Sequence, residues 1–304
     1  MPIVPFVPPQ PVSTSARHGF DYVTVDAQRR RVYAAHGGNA SLLIVDADTG
    51  RVLGQVHVGP MAGVAVDEAT GNVYTGDGDD KAVSDVDPVT MKEVHRVSVD
   101  GPVDAIAYDA VYHRIYADED DGTRVFIIDT NTFKHVATVT VPGHKPEFLD
   151  IDPQTHDVYQ NVATDDEVVV IDPKTLTATR VIRTPNVRNN HPLQFNPNNR
   201  TLLVAGENGV LAVYGLDGKP VASTSIPQRL DQCNFDAKRA WLACAANSSV
   251  VLYSVPSTGA PKMLAQLPVG ARMHTLAIDD ASGRVWVVWG SSAGDFVQGF
   301  VYSP

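Results

Sequence analysis

YVTVDAQRRRVYAAHGGNASLLIVDADTGRVLGQVHV, residues 22–58, decides how this chain is read. It holds four short apolar runs: Tyr22-Val23-Thr24-Val25-Asp26, then Val32-Tyr33-Ala34, then 42–46 and 52–58. Val, Ile, Tyr and Thr favour extended backbone, while the intervening Gly, Asn and Asp favour turns, so the stretch predicts a four-stranded antiparallel meander. The meander recurs. Aligned on the residue that ends each first run, the anchors are Asp26, Asp67, Asp109, Asp152, Asn196, Asp236 and Asp279, spaced about forty residues apart. Second runs follow six residues later, as in Val73-Tyr74-Thr75, Ile115-Tyr116-Ala117, Val158-Tyr159-Gln160 and Val285-Trp286-Val287. Third runs follow at 82–87, 125–129 and 168–172, and fourth runs at 93–99, 135–141 and 178–182.

This period, with four strands per unit, predicts an all-β seven-bladed β-propeller. The last repeat begins near Ala271 and shows only three runs before the chain ends, whereas residues 3–15 precede the first anchor and belong to no repeat. That segment is expected to add the outer strand of the last blade, closing the ring and removing an open edge, a position its prolines suit. No linker or shift in composition interrupts the repeats, so residues 1–304 are expected to form one domain, with 1–15 as its closing segment.

The Tyr22–Asp26 pentapeptide, the repeated Val-Tyr second strands and the turns Ile44-Val45-Asp46-Ala47-Asp48-Thr49-Gly50 and Val170-Ile171-Asp172-Pro173-Lys174-Thr175 resemble those of YVTN-repeat, or YncE-like, seven-bladed propellers. The resemblance spans nearly the whole chain and is weakest in the fifth and sixth repeats. It implies the fold and an exported bacterial protein, and little about activity, since propellers host enzymes and scaffolds alike. DNA binding is known among such propellers. Composition opposes it here, because 24 basic against 35 acidic residues leave a net charge of −11, and phosphate binding needs a basic surface. No apolar run has bilayer-spanning length, and the opening Met1-Pro2-Ile3-Val4-Pro5-Phe6 lacks the pattern of a signal peptide. A periplasmic or secreted monomer is expected, with a cytoplasmic one as the alternative.

Function is expected from one column of the repeat. Five residues before each anchor stand Asp21, Ala62, Asp104, Glu147, His191, Asp231 and His274, so six of seven positions are ionisable. Asp, Glu and His make about one residue in seven of the chain, and channel-lining strands of propellers favour small apolar side chains. The first strand of each blade lines the central channel, which places the column around one channel mouth. The resembling family often carries Pro just before this position. Here only Pro146 does so, and Phe20, Met61, Val103, Asn190, Leu230 and Met273 stand elsewhere, which suggests a mouth rebuilt for its own purpose.

Crowded carboxylates repel, so they must be protonated, paired or bound to a metal. Glu147, His191, Asp231 and His274, from four consecutive repeats, offer two imidazoles and two carboxylates suited to Mn, Fe or Zn, with Ca as a further option. His18, His36 and His144, with Asp21 and Asp104, are candidate acids and bases. Lys145, Arg188, Arg229 and Arg272 are candidates for orienting an anionic group. The expectation is a metal-dependent hydrolase or lyase acting on a small, anionic molecule. The alternative is a hydrogen-bonded ring, with Asp231 paired to Arg229 or Arg272, in a propeller that binds without turnover.

Three further signals carry less. Gly290-Ser291-Ser292-Ala293-Gly294 matches a nucleophile elbow in letters but lies between strands rather than at a strand-to-helix turn. The runs at 77–80 and 118–121 lack the ligand spacing of a calcium loop and are expected to be solvated acidic loops. Cys233 and Cys244 sit in adjacent strands, leaving open a cross-strand disulfide or two small buried thiols.

Overall fold

The computed structural model describes residues 3–5, 9–13, 19–246, 248–269 and 273–302. Their strands form seven antiparallel sheets arranged as the blades of a β-propeller. Blade one is typical: Val23–Asp26, Arg31–His36, Ser41–Asp46 and Val52–His57 pair in chain order from the channel outward. The five following blades repeat this over 61–98, 103–140, 146–183, 190–225 and 230–268. Apart from two 3-10 turns, at Gly37–Asn39 and Ala163–Asp165, no helix occurs among the described residues, and none is long and apolar enough to cross a membrane.

The seventh blade is completed from the other end of the chain. Leu276–Asp279, Arg284–Ser291 and Gly294–Tyr302 supply three strands, and the last of these pairs with Ile3–Pro5 and Gln10–Ser13. Closure therefore comes in two short pieces, Ile3 opposite Tyr302 and Gln10 opposite Val297, which cover the edge that a three-stranded blade exposes.

The repeat anchors explain why the pattern is so regular. Each accepts a backbone hydrogen bond in the turn that follows: Asp67 Oδ1 from Ala69 N at 2.9 Å, Asp152 Oδ1 from Gln154 N at 2.8 Å, Asn196 Oδ1 from Asn198 N at 3.0 Å. Several also staple neighbouring blades. Arg30 of blade one reaches Asp279 of blade seven at 2.7 Å, Arg200 of blade five reaches Asp152 of blade four, and His156 of blade four lies 3.1 Å from Asp109 of blade three. Between blades, the second-strand aromatics Tyr33, Tyr74, Tyr116, Tyr159 and Trp286 are buried in the apolar layers.

Cys233 and Cys244 face each other in the register of blade six and form a disulfide. Gly290 to Gly294 makes the tight hairpin of blade seven, so Ser291 sits at a strand end and donates to Gly294 O rather than standing on an elbow. The two acidic runs depart from expectation. Asp79, Asp80, Asp120 and Asp121 are exposed, but Asp77, Asp118 and Glu119 are buried because the second strands extend through them. Ser84 and Arg96 serve Asp77, Gln160 and Ala105 N serve Asp118, and Arg124 serves Glu119.

Candidate active site at the channel mouth

In blades two to six the column residue falls inside a break in the ladder between the first and second strands, for example between Val103 and Ile106 or between Leu230 and Cys233. A bulge frees the side chain from strict alternation and turns it into the mouth. In blades one and seven, Asp21 and His274 lie just ahead of the first strand. Asp21, Asp104, Glu147, His191, Asp231 and His274 all line one central cavity of about 390 Å³. The column is thus brought together as the repeat predicts.

Four of its members join hands. Lys145 Nζ lies 2.8 Å from Glu147 Oε1, Glu147 Oε2 lies 3.2 Å from His191 Nδ1, and His191 Nε2 lies 2.9 Å from Asp231 Oδ1. The second oxygen of Asp231 meets Nδ1 of His274. The line alternates cation, acid, imidazole, acid, imidazole across blades four to seven. Each carboxylate can only accept unless it is protonated, so an imidazole between two ionised carboxylates carries both of its protons. His191 is accordingly held as an imidazolium: burial opposes its charge, but the hydrogen bond to Asp231 and the charge of Glu147 outweigh burial and raise its pKa above 6.5. Asp231 is also penalised by burial, yet its bonds to His191 and His274 hold it well below the ordinary carboxylate range. Glu147, almost fully buried, is raised by desolvation, opposed by His191 and Lys145.

Asp21 and Asp104 behave differently. Burial, then the charge of Asp231, pushes Asp21 up to about 6. Burial, then the neighbouring Asp21, Asp118 and Glu147, pushes Asp104 well above its ordinary value. Gln232 Nε2 approaches Asp21 Oδ1 at 3.5 Å, and among the described residues no ion pair involves Asp21 or Asp104.

The four residues expected as metal ligands form a line rather than a cage. Both ring nitrogens of His191 face carboxylate oxygens, so the imidazole has no lone pair to give a metal without breaking the line. Among the described residues no group of three or more His, Cys, Asp or Glu side chains is arranged to hold a metal ion. Asp231 pairs with the histidines rather than with Arg229.

The other candidates scatter. His36 is fully buried, 3.0 Å from Asp295 in the seam between blades one and seven, with its ring stacked on Phe20 at 4.2 Å, and does not reach the mouth. His144 is exposed and engages Thr164 through its backbone. Arg188 is exposed and pairs with Asp166 at 2.6 Å. Lys145 faces the mouth but is committed to Glu147. Arg229 lines a second cleft of about 550 Å³ that shares His191, Asp231 and His274 with the mouth. His18 and Arg272 lie outside the described residues. Sequence reasoning set Asp118 in a solvated loop and missed Gln160 and Asn161; all three support the mouth from the second strands. Gln160 Nε2 donates to Asp118 at 2.9 Å, and Asn161 Nδ2 donates to His191 O at 2.8 Å.

No protein-family model matches the chain, and no curated protein matches it in sequence. Similarity appears at the level of structure. Kuenenia stuttgartiensis hydrazine synthase superposes with a TM-score of 0.81 at 15% identity, covering 94% of this chain and 96% of the matched chain. U3-55K superposes with a TM-score of 0.81 at 12% identity, covering 97% and 98%. These likenesses confirm the propeller and go no further.

Proposed function

We propose that the mouth is an acid–base site of hydrolase or lyase type acting on a small molecule, with His274 as the group that exchanges a proton with the ligand. The observation that carries this reading is the Glu147–His191–Asp231–His274 line, whose most exposed member, at 42%, is the terminal His274. Asp231 at Nδ1 sets the orientation of His274, so that in the neutral imidazole Nε2 is the nitrogen that accepts a proton. His191, held as a cation, keeps Asp231 ionised, so Asp231 orients rather than titrates. Asp21, pushed by burial up to about 6, and Asp104, pushed by burial well above its ordinary value, are the proton donors proposed in the same mouth. Mn, Fe, Zn or Ca has no step in this reading.

The expected preference for an anion weakens on the same grounds. Of the four cations expected to serve it, Lys145 is committed to Glu147, Arg188 to Asp166, Arg229 lines the adjoining cleft, and Arg272 lies outside the described residues. The motifs support a divergent YVTN-repeat propeller. The Cys233–Cys244 disulfide supports a periplasmic or secreted location, and the protein is proposed to act as a monomer. The second reading is a binding propeller without turnover, favoured by the internal pairing of Lys145, Glu147, His191 and Asp231. A panel of activated esters, lactones and β-elimination substrates separates the two. Acid–base catalysis predicts turnover that chelator leaves intact and His274→Gln lowers by about a hundredfold or more. Absence of turnover across the panel, or turnover indifferent to His274→Gln, contradicts it.

A further inference from the structure

His274 lines a third cavity, a recess of about 160 Å³ whose other described walls are Gly19, Phe20, Met273, Val288, Trp289 and Gly290. It lies where blades one and seven meet, and its character differs from that of the mouth. Phe20, Met273, Val288 and Trp289 are buried, and among the described lining residues His274 is the one ionisable side chain. The walls are held from behind. Phe20 stacks on His36, which is pinned by Asp295, and Trp289 stacks on Phe296 at 5.6 Å. A recess with aromatic walls locked by buried neighbours is preorganised, so an occupant orders little on entering.

We infer that this recess takes the apolar substituent, a single aromatic ring or a branched aliphatic chain of similar bulk, of the molecule on which His274 acts; the inference rests on the acid–base reading above. Volume supports the assignment, since a space of about 150 Å³ holds a benzene ring, and the recess is open on one side, so the polar end of such a molecule can point out of it. Continuity supports it as well. His274 borders the recess, the acidic mouth and the Arg229 cleft, so a ligand with its apolar group here presents the adjoining polar atoms to the imidazole. Binding sites of this kind pair an apolar wall with a few convergent polar groups that set orientation. The substrate class is therefore a small polar molecule whose reacting centre sits next to a phenyl-sized substituent.

The test uses the intact chain and reads binding, not turnover. Met273 is one of five methionines, so its methyl resonance reports the recess while the other four report the fold. Benzyl alcohol and 3-methylbutan-1-ol should shift the Met273 methyl saturably, and ethanol should not. Gly290 lies within the strand Arg284–Ser291, whose extended backbone accepts a side chain, and Gly290→Leu should fill the recess and weaken benzyl alcohol at least about tenfold. If Gly290→Leu disturbs the other methionine methyls, Trp289→Ala replaces it and should weaken the probe through loss of a wall. No saturable shift, equal response to ethanol, or affinity unchanged in a folded Gly290→Leu variant overturns the recess. Probe binding alongside a silent substrate panel removes the acid–base reading and leaves the recess. Turnover indifferent to the apolar substituent, with no probe binding, does the reverse.

Discussion

The mouth of this propeller has two halves built on the same backbone positions with opposite electrostatics. On the arc of blades four to seven, acids and imidazoles alternate, every carboxylate finds a proton donor, and Asp231 is held ionised. On the arc of blades one to three, Asp21, Ala62 and Asp104 bring carboxylates without a base between them, and burial pushes Asp21 up to about 6. The channel beneath repeats the contrast two residues before the anchors in blades four to six, though not in blade seven, where Ala277 stands. Asp150, Gln194 and Asn234 each accept from a backbone N–H of the next blade, Phe195 at 2.7 Å, Phe235 at 2.8 Å and Ile278 at 2.8 Å. Thr24, Ala65 and Ala107 occupy the same position in blades one to three. What separates these buried carboxylates is whether the adjacent blades supply imidazoles: Asp231, between two of them, is held low, whereas Asp150, with backbone N–H partners only, is pushed by burial up to about 6, as Asp21 is.

Breaking the paired arc should have the largest effect. Asp231→Ala removes the acceptor of two imidazoles at once, and is expected to abolish turnover and lower unfolding free energy by about 2–3 kcal/mol, moderated by the partial exposure of the site. Urea unfolding at pH 7 measures the second number. In the channel, Asp150→Ala leaves the Phe195 N–H without its partner and should cost about 1–3 kcal/mol by the same assay, whereas Ala107→Gly at the matching place in blade three loses no hydrogen bond and should cost less.

The unpaired arc should respond with the opposite sign. A carboxyl whose folded pKa is raised from 3.8 to about 6 favours the folded state fully below pH 3.8, and that contribution is lost as pH rises through about 6. Asp21→Asn removes the loss. It should therefore unfold at higher urea than the parent at pH 8, by about 1–3 kcal/mol, and show no gain at pH 3. Asp231 runs the other way, its contribution present above the ordinary carboxylate range and lost as pH falls below it. The smallest effect belongs to the vacancy in the column: Ala62→Asp places a third carboxylate between Asp21 and Asp104 and should lower stability at pH 8 by about 1 kcal/mol, with little change at pH 4.

The propeller was legible in the sequence because its anchors do a local job. Asp67 or Asn196 caps the turn two residues on, so the letter recurs wherever the turn recurs. The mouth was legible as a column for the same reason: a fixed offset from a fixed turn brings Asp21 and His274 to one ring. The pairing within the ring was not, since whether Asp231 meets Arg229 or two histidines depends on side-chain direction in a bulged strand, which carries no periodic signal. His36 and Asp118 were misplaced because each follows a Val-Tyr or Ile-Tyr second strand where a loop was expected, and both strands continue through them into buried positions. The recess had a signal in the position before the column. Phe20 and Met273 are large and apolar there, and they are the pair that flanks the seam between blades one and seven.

Site-resolved carboxyl 13C shifts of Asp21 and Asp231, followed in one sample from pH 3 to pH 8, test the central asymmetry most directly. The account predicts a midpoint near about 6 for Asp21 and no protonation of Asp231 across the ordinary carboxylate range. Both carboxyls titrating together near 3.8 would contradict it, because the two arcs would then differ in sequence but not in physics.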